Sequence, residues 1–145
     1  MNRITDKLKI GTIGELLVQL RLLEHGVQAA PPIKDSGNDL IAVKNESFRA
    51  IQVRTTTGDT FDKPNPDRKY HILAVVQLVD DETQIYLDKS SIFLIPRNQV
   101  EKTSTRIRNL EQFRITNDSV KQPFNQNEMI LQQGGSPDAP KPVPR

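Results

Sequence analysis

Two neighbouring segments of the chain place polar side chains within otherwise apolar runs. Asp39 opens one run, and Gln52 and Arg54 alternate with apolar residues in the next. Because side chains alternate faces along a β-strand, Gln52 and Arg54 project on one side while Val53 projects into the core. If the two runs form a hairpin, Asp39 lies near Gln52, and a helix packed on the sheet can add Glu15. The sequence therefore predicts two carboxylates, an amide and a cation in one place.

These four groups suit the hydrolysis of a phosphodiester. Carboxylate, amide and main-chain carbonyl oxygens are the ligands that Mg²⁺ prefers, and bound Mg²⁺ commonly retains waters that can attack phosphorus. The metal would polarise the scissile phosphate, and the cation would offset negative charge in the transition state. The residues leave a simpler alternative open, in which a hairpin carries a capping Asp39, an exposed Gln52 and Arg54, and a helix carries Glu15 on its surface.

The order and spacing of these residues resemble the core motifs of the PD-(D/E)XK nuclease superfamily. The resemblance rests on Gly14-Glu15 in the first helix, Asn38-Asp39-Leu40-Ile41 at a strand start, and Gln52-Val53-Arg54-Thr55-Thr56 in the following strand. Segments 70–75 and 85–96 are similar to the second half of that core in small, bacterial-type members. The resemblance covers roughly residues 5–102.

Three positions depart from the superfamily pattern. Asn38 stands where the motif has Pro, Gln52 where Asp or Glu is usual, and Arg54 where Lys is usual. A Gln in the third motif, with a first-helix Glu as the second carboxylate, is similar to a branch of small intron-encoded homing endonucleases. Arginine stays protonated and cannot transfer a proton. The alternative to an active enzyme is therefore a catalytically degenerate DNA-binding or protein-interaction module.

The resemblance implies an α/β fold with a restriction-endonuclease-like central mixed sheet and flanking helices. It implies a metal-dependent DNA endonuclease in which Glu15, Asp39, Gln52 and the main chain of Val53 bind Mg²⁺ or Mn²⁺. Arg54 would contact the phosphate. Because one small domain offers one site, cutting both strands of DNA would need a homo-oligomer, at least a dimer.

Hydrophobic periodicity predicts the elements that position these side chains. A helix is predicted over residues 5–24 by apolar residues at helical spacing, namely Ile13, Leu16, Leu17, Leu20 and Leu23. Val18 and Leu22 continue the line of Glu15 along it. Apolar runs between polar turns predict strands at residues 27–30, 39–43, 48–56, 71–79, 84–87 and 91–95. The run at 71–79 is nearly all apolar, as expected of a strand buried on both faces. A short helix is expected at 98–102, and the pattern beyond residue 103 fits helix and strand alike.

Basic and hydroxyl side chains around the proposed site predict how DNA would be held. Phosphate contacts are expected from Arg54, Thr55, Lys63, Arg68, Lys69, Arg97, Arg106 and Arg108. The long polar loop over residues 58–69 carries three of them and the C-terminal third carries three more, while Arg54 and Thr55 lie in the strand predicted before the loop. The net charge of +2 is only mildly basic, so composition alone does not indicate nucleic-acid binding, and an ordinary solvated charged face remains the alternative.

The whole-chain composition fits one domain and an intracellular setting. We expect a nuclease domain over residues 1–132 and a disordered, proline-rich tail over residues 133–145. The absence of cysteine excludes a disulfide framework and a thiolate metal site, and the two histidines lack ligand partners at zinc-site spacing. There is no apolar signal core and no run near the roughly 20 apolar residues that span a bilayer. The sequence therefore predicts a cytoplasmic protein with no membrane partner.

Overall fold

A five-stranded mixed sheet organises residues 3–34 and 38–134, which are the residues that this computed structural model describes. The helices are α1 (Arg3–Glu24), α2 (Arg97–Val100) and α3 (Asn117–Gly134), and the strands are β1 (Gln28–Ala30), β2 (Leu40–Lys44), β3 (Ser47–Thr56), β4 (Ile72–Asp80) and β5 (Ile85–Pro96). Two 3-10 turns, Ile107–Asn109 and Glu111–Phe113, lie between α2 and α3. The predicted α/β fold with a central mixed sheet and flanking helices is confirmed.

The strands follow one another in chain order across the sheet. All neighbours pair antiparallel except β3 and β4, which are parallel. A parallel pair needs a long crossover connection, and the polar segment over residues 57–71 provides it without forming a helix. We call this segment the crossover loop. The loop is long because it must connect two parallel neighbouring strands, β3 and β4.

The predicted hairpin of β2 and β3 is confirmed. Lys44 pairs with Ser47 across a two-residue turn, and Asn45 in that turn has φ of 55°, a left-handed conformation that asparagine tolerates well. At the other end of the hairpin the main-chain N–H of Asp39 donates to the carbonyl oxygen of Ile51. The hairpin register therefore brings Asp39 next to Gln52.

Two apolar layers cover the sheet. Residues of α1 and α3, such as Val18 and Phe124, pack on one face around Val53. The other face is covered by the crossover loop and the segment after β5, through residues such as Phe61 and Leu110. Residues 72–76 of β4 are all buried, which confirms the prediction of a strand buried on both faces.

The buried face of α1 is the one that continues the line of Glu15. Val18 and Leu22 are buried. The other expected stripe is split: Leu17 is buried and Ile13 packs against the core, whereas Leu16, Leu20 and Leu23 are 56%, 48% and 58% exposed. The helix carries two overlapping apolar stripes, and periodicity alone does not choose between them. The close contact of Gly14 with β3, described below, selects the stripe that faces the sheet.

One strand prediction is wrong, because residues 85–87 and 91–95 belong to the single strand β5, which begins after residue 84. The polar residues 88–90 between them, of which 88 and 89 are exposed and Ser90 is half-buried, continue the strand along the edge of the sheet. At the irregularity opposite, Ser90 Oγ accepts a hydrogen bond from Val79 N–H and donates to the carbonyl oxygen of Tyr86. A hydroxyl group thus replaces a main-chain partner at the bulge.

The C-terminal region that the sequence left open contains α3. Thr116 and Ser119 exchange hydrogen bonds between their main-chain N–H groups and each other's hydroxyls at its start, as in a capping box. Of the tail predicted at residues 133–145, the part from residue 135 onward lies outside the described residues, and residues 133 and 134 close α3. No helix in the described ranges is long and apolar enough to cross a membrane.

Candidate active site

Asp39 lies one residue before β2 and is bonded to two groups of β3. Its Oδ2 accepts hydrogen bonds from Gln52 Nε2 at 2.9 Å and from the main-chain N–H of Val53 at 2.7 Å. Both bonds use the same carboxylate oxygen, so Oδ1 takes part in neither. The arrangement fixes the Asp39 carboxylate against β3 and brings together two of the predicted site residues.

Gln52 is buried, with 3% of its surface exposed, so the alternative of a solvent-facing side chain is wrong. Its amide nitrogen is used by Asp39, and its Oε1 is buried with no hydrogen-bond donor among the described residues. A buried acceptor without a partner costs about 1–3 kcal/mol. This oxygen is therefore a ready ligand for a cation or a water molecule.

Glu15 is brought to the sheet by the glycine that precedes it. A Cβ atom at Gly14 would lie 1.9 Å from Oγ1 of Thr55, so only glycine lets α1 approach β3 this closely. Burial, and then the negative charge of Asp39, raise the pKa of Glu15 above its ordinary value of 4.5. The two carboxylates are thus close enough to repel each other.

Arg54 follows Gln52 on the same face of β3 and is partly buried. Its Nε is buried and makes no hydrogen bond within the described part of the chain. Arg54 borders a cavity of about 470 Å³ together with Glu15, Val53 and Thr55. A cation, a carboxylate and a strand-end hydroxyl therefore face one space.

The donor set available to a metal is made of oxygen atoms. Among the residues the structure describes, no group of three or more His, Cys, Asp or Glu side chains is placed to hold a metal ion. Glu15 and Asp39 would therefore need the amide oxygen of Gln52 and a main-chain carbonyl, such as that of Val53, to complete a site. Oxygen ligands of this kind match the preference of Mg²⁺ or Mn²⁺.

The basic residues expected to bind DNA fall into separate places. Arg68, Lys69 and Arg97 border a cavity of about 550 Å³ next to Asn38, whereas Arg106 and Arg108 border a different cavity. Lys63 donates from Nζ to the carbonyl oxygen of Glu101. The structure thus gives two separate cationic regions, one of them next to Asn38, and their contact with DNA stays a prediction.

Arg97 has a structural role that the sequence did not indicate. Its guanidinium donates to the carbonyl oxygens of Pro66 and Arg68 and lies 4.1 Å from the centre of the Tyr70 ring. These contacts hold the crossover loop against the start of α2. Loop carbonyls cannot be foreseen as partners from residue spacing, because they lie about thirty positions away in the chain.

Comparison with solved structures finds a similar fold in the bacterial homing endonuclease I-Ssp6803I. The two chains are 12% identical and superpose with a TM-score of 0.56 over 86% of this chain and 95% of that one. No protein-family model matches the chain, and no curated protein gives a significant match. At this low identity the likeness concerns the fold, and the chain has a nuclease-like fold shared with a bacterial homing endonuclease.

Proposed function

We propose that the chain is a metal-dependent DNA endonuclease of the PD-(D/E)XK type, with Glu15, Asp39, Gln52 and Arg54 as its catalytic residues. The observation that carries the proposal is the Asp39 carboxylate, bonded to Gln52 Nε2 and Val53 N–H beside the second carboxylate of Glu15. The nuclease-like fold supports the same reading. We propose DNA as the substrate, because the fold is nuclease-like and basic residues line two other cavities of the chain.

The residues fit a divalent cation for two electrostatic reasons. Glu15 and Asp39 repel each other, and a positive ion between them would relieve that repulsion. Gln52 Oε1 is a buried acceptor that lacks a donor within the described residues. Glu15, Asp39, Gln52 and the main-chain carbonyl of Val53 would hold Mg²⁺ or Mn²⁺, which supplies Lewis acidity and a water of lowered pKa.

The protein groups position and neutralise the scissile phosphate. Val53 N–H and Gln52 Nε2 fix the orientation of the Asp39 carboxylate. Arg54 carries a permanent positive charge at the same cavity as Glu15 and can offset the charge that develops on phosphate oxygens. The hydroxyl of Thr55 lies at the same opening and adds a hydrogen-bond donor. One chain offers one such site, so cutting both strands would use two copies.

Cleavage of plasmid and branched DNA with Mg²⁺, Mn²⁺ or EDTA tests the proposal. We expect cutting that requires metal, and we expect Asp39→Ala to abolish cutting while most DNA affinity, measured in EDTA, is retained, because phosphate contacts supply affinity. Asp88→Ala, at an exposed carboxylate in β5, is the matched control. Undiminished cutting by Asp39→Ala, or equal cutting in EDTA, would remove the assignment.

The arginine at position 54 favours a second candidate, a catalytically degenerate DNA-binding module. Arginine cannot act in proton transfer, and its planar head reaches differently from lysine. If Arg54 limits the reaction, Arg54→Lys should preserve or raise the rate of cleavage. If wild type and Arg54→Lys both bind DNA with a steep salt dependence and neither cuts it, the result would select the non-catalytic module.

A further inference from the structure

A second cationic pocket lies beside the crossover loop, separate from the Asp39 site. It has a volume of about 370 Å³ and is lined by three arginines, Arg106, Arg108 and Arg114. None of them borders the cavity at Glu15 and Arg54. A ligand bound here would therefore be a separate molecule, or a second part of a ligand that also reaches Arg54.

The segment that carries Arg106 and Arg108 is fixed to the crossover loop by main-chain bonds. Phe61 N–H donates to Thr105 O at 3.0 Å, and Ile107 N–H donates to Asp59 O at 2.9 Å. Ile107 is buried while the arginines on either side of it are exposed. The main chain around Arg106 is therefore held by two hydrogen bonds to the crossover loop, while the side chains of Arg106 and Arg108 are exposed to solvent.

Arg114 is held in place by its neighbours. It donates to both carboxylate oxygens of Glu111, at 2.7 and 2.9 Å, and to Ser91 Oγ at 2.9 Å, and it lies over the ring of Phe93. The bond with Arg114 lowers the pKa of Glu111, so the carboxylate is ionised at neutral pH. Arg114 supplies a fixed positive charge, and Glu111 is an anion already present at the pocket.

The charges at the pocket leave an excess of cation. Three arginines face two carboxylates, Asp59 and Glu111, which gives a formal lining charge of +1. Within the described residues, the side chains of Arg106 and Arg108 have neither a hydrogen bond nor an ion pair. A guanidinium presents several N–H donors in a planar fork that matches the oxygens of a phosphate group.

We propose that this pocket binds a phosphate group, with Arg106 and Arg108 donating hydrogen bonds to its oxygens and Arg114 adding charge. The same chemistry serves a phosphate of the DNA backbone away from the scissile bond, in which case the inference rests on the proposed function. It also serves a free phosphate ester, in which case it does not.

Two titrations distinguish these sources. Inorganic phosphate and thymidine 5′-monophosphate probe a free ester, and a short duplex in EDTA, at several salt concentrations, probes the DNA backbone. The variants are Arg106→Ala with Arg108→Ala, and Glu111→Gln, which removes the resident anion. Lys89→Ala with Lys121→Ala is the control of equal charge, because neither lysine lines the pocket.

The double arginine variant should bind the small phosphates about tenfold more weakly or worse. On the duplex it should lower the slope of log affinity against log salt by nearly two units. Glu111→Gln should bind the phosphate probes more tightly than wild type does. The lysine control should change neither the affinity for the small phosphates nor the slope on the duplex. A response to the duplex alone assigns a backbone phosphate, and a response to the small phosphates alone assigns a free ester.

The proposal is overturned if the double arginine variant binds every probe as tightly as wild type, or if the lysine control loses as much. Neither measurement uses cleavage. A chain that cuts no DNA and still shows the arginine-dependent response would therefore retain the pocket while the proposed endonuclease activity fails.

Discussion

Asp39 connects the two strands of the hairpin at the candidate site. Its Oδ2 is bonded to a side chain and to the main chain of β3, while Glu15 faces it from α1. The arrangement is electrostatically unfavourable without a cation, because two carboxylates repel and the buried amide oxygen of Gln52 has no donor in the described ranges. The cation proposed for this site would offset the repulsion and could accept the Gln52 oxygen as a ligand.

The first prediction concerns the pH dependence of stability. Because the folded state raises the pKa of Glu15, its contribution to stability is fully present below the ordinary value of 4.5 and is lost as pH rises through the raised pKa. At neutral pH without metal, Glu15→Gln should be at least as stable as wild type. Thermal unfolding from pH 4 to pH 8 in EDTA measures this.

Metal should favour the stability of wild type over that of Glu15→Gln. Adding Mn²⁺ at neutral pH should raise the unfolding temperature of wild type more than that of Glu15→Gln, because ligand binding to the folded state stabilises it. Glu82→Gln, at an exposed turn carboxylate, serves as the control. A Glu15→Gln protein that is clearly less stable than wild type in EDTA would show that Glu15 has a stabilising partner instead.

The sequence indicated which side chains lie at the candidate site, but it did not indicate the hydrogen bonds between them. The hairpin pattern was enough to place Asp39 next to Gln52, and strand alternation put Arg54 on the same face of β3 as Gln52. The burial of Gln52 was not foreseen, because it depends on residues that cover the sheet from distant parts of the chain. The pocket shared by Arg106, Arg108 and Arg114 was not foreseen either, since only the fold brings these residues together.

Among the elements, the contact between α1 and β3 sets the position of Glu15. Gly14 removes the side chain that would otherwise keep the helix away from Thr55. Two consequences follow from one residue: the stripe through Val18 and Leu22 packs on the sheet, and the next residue, Glu15, is carried to the Asp39 site.

The second prediction tests this contact. Gly14→Ala should destabilise the fold by about 1–3 kcal/mol, since the new Cβ would overlap Thr55 Oγ1 and helix and strand must separate. Thr55→Ala in the same chain should recover part of the loss. Recovery should be incomplete, because Cβ of Thr55 would still lie 2.9 Å from the new atom. Urea unfolding of the four proteins of this double-mutant cycle gives the coupling.

Gly11 provides the control for helix propensity. A Cβ there would meet nothing within 4 Å, so Gly11→Ala should be neutral or stabilising. Equal effects of the two glycine substitutions would contradict a special role for Gly14.

Periodicity identified most elements and failed where two signals overlapped. The two apolar stripes of α1 are equally helical, and a close glycine contact chose between them. Residues 88–90 read as a break because they are polar, yet they continue β5 on an exposed edge. The start of α3 was hidden because Ser119 takes the capping position where Glu or Gln is the usual signal.

Across the whole molecule, the crossover loop connects the sheet to both cationic regions. Arg97 fixes one part of it through the carbonyl oxygens of Pro66 and Arg68, and Gln77 fixes another by donating to Gly58 O. The loop thus lines both cavities: residues 59 and 60 border the one that holds Arg106, and residues 66–69 border the one next to Asn38.

The third prediction measures the loop's share of DNA binding. If Lys63, Arg68 and Lys69 each contact a phosphate, replacing all three with alanine should lower the slope of log affinity against log salt by nearly three units on B-DNA. Arg97 is left unchanged because its loss would release the loop itself. An unchanged slope, with folding intact by circular dichroism, would show that the loop is not a DNA contact.

The central claim is that Glu15, Asp39 and Gln52 form one divalent-cation site, and calorimetric titration of Mn²⁺ into the full chain tests it most directly. We predict one Mn²⁺ per chain for wild type and affinity at least about tenfold weaker for Asp39→Asn, which keeps an acceptor oxygen but removes the charge. Asp88→Asn should bind like wild type. Equal affinity of Asp39→Asn and wild type, or no binding to wild type, would contradict the account.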